Sequence, residues 1–335
     1  MLGLILKTIE VMKDKRLDEL KKNFDLEEIP SELEKSINIE KSKKLHIKKA
    51  DMEKIIKNQE GRLDDVLASF LHKKDDYEYK ILTEFPDLDK LMGGLRLGEL
   101  VIVGGRPSQG KTSFLLSLAR NISFRENPTP VLYINLESTL YQTAERLNLM
   151  IENDKVLHKI PFYLSAPKKN IETILEIIHH YIISQKVKVI FIDYIQLLQI
   201  SDERQRNREL TSTIKSLKEL AEEQQISIVI ASQMNRSIEL RSGLYGRPFL
   251  SDLRDSGALE QESDKIIFLQ RPEYYGILED ENGDSTRDVV EVILAKNRSG
   301  ATGEIMLKMQ KETVSFECWP KVEYNWGGLD TDLVF

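Results

Sequence analysis

Residues Gly105-Arg106-Pro107-Ser108-Gln109-Gly110-Lys111-Thr112 fill every position of a G-x-x-x-x-G-K-[ST] pattern. The octet lies between a buried-strand pattern, Leu100-Val101-Ile102-Val103, and an apolar helical pattern, Phe114-Leu115-Leu116-Ser117-Leu118-Ala119. Strand, tight loop and helix in that order restrict the chain to an α/β fold built around a phosphate loop. The glycines let backbone N–H groups close on an anion, and the helix N-terminus adds favourable partial charge. Lys111 is the expected point charge for β and γ oxygens, Thr112 the expected hydroxyl for Mg²⁺, and residues Gly105 to Ser113 the expected cradle for a nucleoside triphosphate. An ordinary surface turn is the alternative, and the complete pattern in its strand–loop–helix setting disfavours it.

Strand-like runs recur over residues 99–104, 131–136, 187–198, 226–234, 265–270, 289–296 and 303–309. Helical patterns near 112–121, 139–151, 170–185 and 206–224 separate the early ones. This rhythm predicts a mainly parallel twisted sheet flanked by helices, with antiparallel strands added at one edge around Gly300 and Gly303. Composition changes near residue 80: residues 1–78 read as a helical segment and 79–335 as the nucleotide-binding domain. Lys41, Lys43, Lys44, Lys48, Lys49, Lys54 and Lys57 read as a solvated helix face, with nucleic-acid contact as the alternative. Leu63, Val66, Leu67 and Phe70 share one helical face that needs a partner.

A formal net charge of −7 and a pI near 5.5 argue against coating DNA through an overall basic surface, while leaving a local basic groove or ring channel open. No apolar run approaches a membrane span, and Lys7, Glu10 and Lys13 break the apolar opening, so a cytoplasmic protein is expected. Cys318 is the only cysteine and has no disulfide or thiolate-site partner within the chain.

Two carboxylates end apolar runs. Asp193 closes Val189-Ile190-Phe191-Ile192, the place where a phosphate-loop enzyme holds Mg²⁺ or its water shell, with a simple strand-end cap as the alternative. Glu137 follows Val131-Leu132-Tyr133-Ile134-Asn135-Leu136, where a carboxylate can orient and deprotonate an attacking water. Gln233 ends Ile228-Val229-Ile230-Ala231-Ser232 and reads either as a γ-phosphate sensor or as a strand terminator.

Several further segments stand in order with these. They are Gly93-Gly94-Leu95-Arg96-Leu97-Gly98-Glu99-Leu100, Asn135-Leu136-Glu137-Ser138, Ile192-Asp193-Tyr194-Ile195-Gln196-Leu197-Leu198 and Ser232-Gln233-Met234-Asn235-Arg236. Leu250-Ser251-Asp252-Leu253-Arg254-Asp255-Ser256-Gly257-Ala258-Leu259-Glu260-Gln261, followed by Asp264, and Ala295-Lys296-Asn297-Arg298-Ser299-Gly300 complete the set. Over about residues 82–318 the chain resembles the RecA-like motor domain of DnaB-family replicative helicases. That resemblance implies an ATP- and Mg²⁺-dependent DNA helicase that forms a hexameric ring on single-stranded DNA, with a loader or primase as further partners. It gives Lys111, Glu137 and Gln233 catalytic roles, Thr112 and Asp193 the metal, and Lys296 and Arg298 a place in the neighbouring subunit's nucleotide site. Arg254, Asp255 and Gly257 would track DNA phosphates. Arg204, Arg206 and Arg208 read equally as DNA contacts or as a solvated loop.

The region before the motor is shorter than in full-length members, which implies a shortened, replaced or absent collar and puts its primase surface in doubt, while residues 62–72 still suit the linker helix that docks on the adjacent motor. A RecA-like DNA-dependent ATPase serving recombination, signalling or defence without processive unwinding is the competing expectation.

Overall fold

The computed structural model describes residues 80–151, 160–198, 206–240, 246–253, 256–280 and 282–319. The helical segment expected over 1–78, with its lysines and its apolar stripe, lies outside the described residues, as do Arg204, Arg254 and Asp255.

A short antiparallel pair opens the described region, β1 (Lys80–Ile81) with β2 (Leu95–Arg96), bracketing helix α1 (Pro86–Met92). Pro86 suits the first turn of α1, where no backbone N–H is needed. The helix ends at Gly93, whose φ of 74° is a left-handed cap that glycine adopts without a Cβ clash. Next come β3 (Leu100–Gly105), α2 (Lys111–Ser123), β4 (Val131–Asn135), α3 (Leu140–Leu149), β5 (Phe162–Ser165), α4 (Ile171–Gln185) and β6 (Val189–Asp193). The remainder is α5 (Arg206–Gln224), β7 (Ser227–Gln233), α6 (Ser256–Glu262), β8 (Lys265–Gln270), β9 (Val289–Asn297), β10 (Gly303–Gln310) and β11 (Ser315–Cys318).

Nine of these strands form one sheet in the order β11-β10-β9-β8-β3-β7-β6-β4-β5. From β8 to β5 every pairing is parallel, and β9, β10 and β11 extend the sheet antiparallel. The parallel strands are near-continuous apolar runs because helices cover both their faces. The pleat sorts them into two layers: Val101, Val103, Tyr133, Phe191 and Val229 pack with Phe114, Leu115 and Leu118 of α2 on one face. Leu100, Ile102, Ile190, Ile228 and Ile230 pack with Ile178 of α4 and Ile214 and Leu217 of α5 on the other. Each such fully buried side chain contributes about 1.5–3 kcal/mol of transfer free energy, and truncating Phe114 to alanine is expected to cost about 3–5 kcal/mol.

The sequence-based strand over 187–198 is too long. The chain leaves β6 at Asp193 and makes a 3₁₀ turn at Ile195–Leu197, with Ile195 and Leu198 buried in the second layer. Those apolar residues extend the hydrophobic run without extending the strand. β5 and β11 were not expected at all. β5 is a four-residue, half-buried edge strand directly after Pro161, too short to register as a periodic pattern. Among the described residues no helix is long and apolar enough to cross a membrane.

Candidate nucleotide site and its flanking loops

The C-terminal edge of the parallel strands gathers most of the expected chemistry. β3 ends at Gly105 and α2 begins at Lys111, so the loop delivers its backbone to a helix N-terminus. Gly110 holds φ at 91°, and a Cβ there would also come within 3.0 Å of the Phe316 ring, so the position requires glycine on two counts. Lys111 folds back over the loop, its Nζ donating to the carbonyls of Gly105 at 2.8 Å and Arg106 at 2.9 Å. Burial lowers its pKa from the usual lysine range to about 8, opposed by the nearby carboxylates of Asp193 and Glu137. Pro107 and Ser108 are exposed, whereas Gln109 and Ser113 are buried. Gln109 Oε1 accepts from the backbone N–H of Arg271 at 2.7 Å, tying the loop to the end of β8.

Asp193 and Glu137 come together through strand pairing. Asn135 stands opposite Asp193 in the β4–β6 register, and the Leu136 N–H donates to the Asp193 carbonyl at 2.7 Å. The Asn135 side chain accepts from the N–H groups of Glu137 at 2.8 Å and Ser138 at 2.7 Å, and donates to Thr143 Oγ1 at 2.8 Å. This fixes the turn that leaves Glu137 exposed at the strand edge. The buried Asp193 carboxyl is pushed up by desolvation and held down by hydrogen bonds from the Thr112 and Tyr133 hydroxyls. Tyr133 and Asn135, both inside the run that pointed to Glu137, were not singled out from sequence. A hydroxyl in an otherwise aliphatic buried strand was the available signal for Tyr133.

Gln233 is the partner of Gly105 in the β3–β7 register, which sets it beside the start of the phosphate loop. Gln196 pins it there: its Oε1 accepts from the Gln233 N–H at 3.1 Å, and its Nε2 donates to Ser232 Oγ at 2.8 Å.

Lys296 and Arg298 lie elsewhere. β9 runs antiparallel to β8 with Asn297 opposite Lys265, so its end meets the beginning of the parallel strands, a strand length of roughly 20 Å from the phosphate loop. There Lys296 Nζ donates to the carbonyls of Ser263, at 2.7 Å, and Glu260. Arg298 pairs with Asp264 Oδ1 at 3.3 Å and donates to the Gln261 carbonyl. Both cations therefore cap the C-terminal end of α6, where carbonyls lack helical partners. Gly257 is exposed near the start of that helix, Arg206 begins α5, and Arg208 is exposed in its first turn.

Against known proteins, residues 80–158 and 148–318 match the family described as the DnaB-like helicase C-terminal domain. The chain belongs to that family. A protein named probable replicative DNA helicase from Trieres chinensis is 34% identical over 258 residues, covering 69% of this chain and 56% of that protein. Replicative DNA helicase DnaB of Geobacillus stearothermophilus is 31% identical over 272 residues, covering 73% of this chain and 58% of that one. The DnaB-like chain thus spans somewhat over half the length of these relatives. Among solved structures, one described as an ATPase domain superposes with TM-score 0.66 at 26% identity, over 78% of this chain and 100% of that one. A DnaB-like replicative helicase, described with its interactions with primase, gives TM-score 0.64 at 26% identity over 78% and 68%. The RecA-like fold expected of a DnaB-like motor is the one observed.

Proposed function

We propose that this chain is the ATP-driven motor of a DnaB-type replicative helicase, a ring of like subunits, expected to be hexameric, that translocates on single-stranded DNA and unwinds duplex ahead of it. One observation carries the reading: Lys111, Thr112, Asp193 and Glu137 converge at one edge of the sheet, while Lys296 and Arg298 stand at the opposite edge. A subunit so built would bind and hydrolyse nucleotide on one side, and on the other Lys296 and Arg298 would exchange the α6 carbonyls and Asp264 for a neighbour's phosphates.

The residues present fit ATP and Mg²⁺. The Thr112 hydroxyl is hydrogen-bonded to a buried carboxylate next to a lysine, a set of hard oxygens and a point charge suited to a phosphate-bound divalent cation. When bound, Mg²⁺ supplies charge neutralisation on the β and γ oxygens. Lys111 would exchange the carbonyls of Gly105 and Arg106 for phosphate oxygens, and backbone N–H groups of the loop would hold the phosphates. Glu137 would orient water in line with the γ phosphorus and accept its proton as the bond to the β–γ bridging oxygen breaks. Gln233, held against Gly105, would register loss of the γ-phosphate. Lys296 and Arg298 would stabilise transition-state charge in the adjacent subunit, a contribution worth about 10³ to 10⁵ in rate in related enzymes.

Arg254, Asp255 and Gly257 are the proposed DNA-tracking residues, with Arg204, Arg206 and Arg208 as a second set. Phosphate contacts of this kind carry affinity without reading sequence, and converging on a channel they would serve despite the net charge of −7. Primase is named with one of the similar structures and is, with a loader, a candidate partner.

ATP hydrolysis measured with and without single-stranded DNA, alongside strand separation on a forked duplex, tests the reading. Stimulated hydrolysis with unwinding is expected. Stimulated hydrolysis without strand separation would instead support an ATPase of recombination, signalling or defence.

A further inference from the structure

Arg106 is the second residue of the phosphate loop, yet its buried side chain is engaged with the segment that follows β7. Its Nη1 donates to the Met234 carbonyl at 2.9 Å and its Nε to Glu239 Oε1 at 2.8 Å. Glu239 sits on the 3₁₀ turn Arg236–Leu240, directly after the candidate sensor strand. The same segment is fastened on its other side. Met234 bridges to Leu253, and the Asn235 N–H donates to the Asp252 carbonyl at 2.8 Å, while on the phosphate-loop side the Met234 N–H also reaches the Gly105 carbonyl at 3.4 Å. Leu253 leads into the candidate DNA loop and α6. The phosphate loop and the approach to that loop are thus joined through residues 234–239.

A buried guanidinium needs a counter-charge, and charge-assisted hydrogen bonds are among the stronger polar contacts a protein makes. A shift of the loop backbone on nucleotide binding would carry Arg106 with it, and through its hydrogen bonds Glu239 and Met234. We propose that Glu239 is a positioning residue. Through Arg106 it makes the segment after β7 move with the phosphate loop, and so couples DNA engagement to the rate of ATP hydrolysis. The inference rests on the motor reading above, and it assigns to the Arg106–Glu239 ion pair the charged share of a connection that the Arg106–Met234 and Met234–Gly105 hydrogen bonds also serve.

The test compares Glu239→Ala, Glu239→Gln and Glu239→Asp in the full chain, measuring kcat and KM for ATP with and without single-stranded DNA. In Glu239→Ala, basal kcat and KM stay within about twofold of the parent, while DNA stimulation of kcat falls by about 2- to 30-fold. Glu239→Gln, which keeps an acceptor and loses the charge, falls between, and Glu239→Asp recovers part of the stimulation. Should the alanine variant fold poorly, the other two carry the comparison. Full stimulation in all three variants overturns the proposal, and so does an equal loss of basal and stimulated turnover, which marks Glu239 as merely structural. A parent enzyme indifferent to DNA overturns the motor reading and the coupling together, whereas stimulation that survives the variants overturns the coupling alone.

Discussion

The phenolic hydroxyl of Tyr133 donates to Asp193 Oδ2 at 3.0 Å across the β4–β6 pair, and both side chains are buried. Desolvation dominates at Asp193 and pushes its carboxyl up; the hydroxyls of Tyr133 and Thr112 oppose it. Burial, followed by the Asp193 charge and this hydrogen bond, drives the Tyr133 hydroxyl well above its usual value. Tyr133 therefore serves as a fixed neutral donor that keeps an otherwise disfavoured carboxylate available at the C-terminal edge of the strands.

Tyr133→Phe removes that donor while keeping the ring. The loss of a buried hydrogen bond to a charged group is expected to cost about 1.5–3 kcal/mol of stability, read by urea denaturation. The Asp193 pKa rises further without the donor, so the acid limb of the ATPase pH profile moves to higher pH. An unchanged acid limb in a well-folded variant would detach Tyr133 from the function of Asp193.

Lys111→Ala and Glu137→Gln should separate binding from chemistry. Lys111→Ala deletes the charge proposed to meet the phosphates and is expected to weaken nucleotide binding and abolish turnover. Glu137→Gln keeps the Asn135-anchored turn, and is expected to bind ATP normally while losing about 10² to 10⁴ in kcat. Fluorescent-nucleotide titration beside steady-state hydrolysis decides. Equal loss of affinity in both variants removes Glu137 as the base.

Lys111 also predicts a proton linkage. In the free protein its pKa is about 8, so above that pH the side chain is increasingly neutral. Nucleotide phosphates would favour the charged form, so ATP binding near pH 8–9 takes up protons and affinity falls as pH rises. Calorimetric titration in two buffers of different ionisation enthalpy reads the uptake directly. For folding the sign is opposite: the unfolded chain holds its lysine proton up to about 10.5, so between about 8 and 10.5 it binds more protons than the native state. This group's contribution to stability therefore increases with pH across that window.

Lys265 is fully buried at the first position of β8 and pairs with Glu99, which also accepts from Ser299 Oγ at 3.0 Å. Burial lowers the lysine pKa, and the Glu99 charge opposes that shift. Lys265→Ala leaves an uncompensated buried carboxylate and is expected to destabilise by about 3–5 kcal/mol. The double variant Lys265→Met with Glu99→Gln removes both charges and is expected to recover much of the loss, measured by thermal or urea unfolding.

What was legible in the sequence was local. Val189-Ile190-Phe191-Ile192 declares a strand covered on both faces, and Gly105 to Thr112 declares its loop because the spacing itself makes the cradle. The strand-end positions of Asp193 and Glu137 followed from the same runs. The contacts that organise the site were not legible, because their partners are far apart in the chain: Tyr133 and Asp193 by 60 residues, Arg106 and Glu239 by 133, Glu99 and Lys265 by 166. Each such residue looks ordinary until strand order brings it to its partner. β5 was missed for a different reason, since a half-buried edge strand of four residues has too little apolar periodicity to be seen.

The placement of Lys111 and Arg298 at opposite edges of one sheet leads to the last prediction. If Arg298 acts on a neighbour, Arg298→Ala subunits should bind ATP and fail to hydrolyse it, and Lys111→Ala subunits should be inactive for lack of a working loop. In a mixed ring, an Arg298→Ala subunit supplies an intact phosphate loop and an adjacent Lys111→Ala subunit an intact finger. At equal mixing about one interface in four has both, provided subunits assemble at random around a cyclic ring. ATPase activity should then return to roughly that fraction of the parent rate if interfaces fire independently, and to less if they must fire in sequence. The assignment is falsified if mixed rings demonstrably form yet recover nothing while Arg298→Ala alone keeps normal DNA-stimulated turnover, because each subunit would then be hydrolysing ATP without this residue from its neighbour.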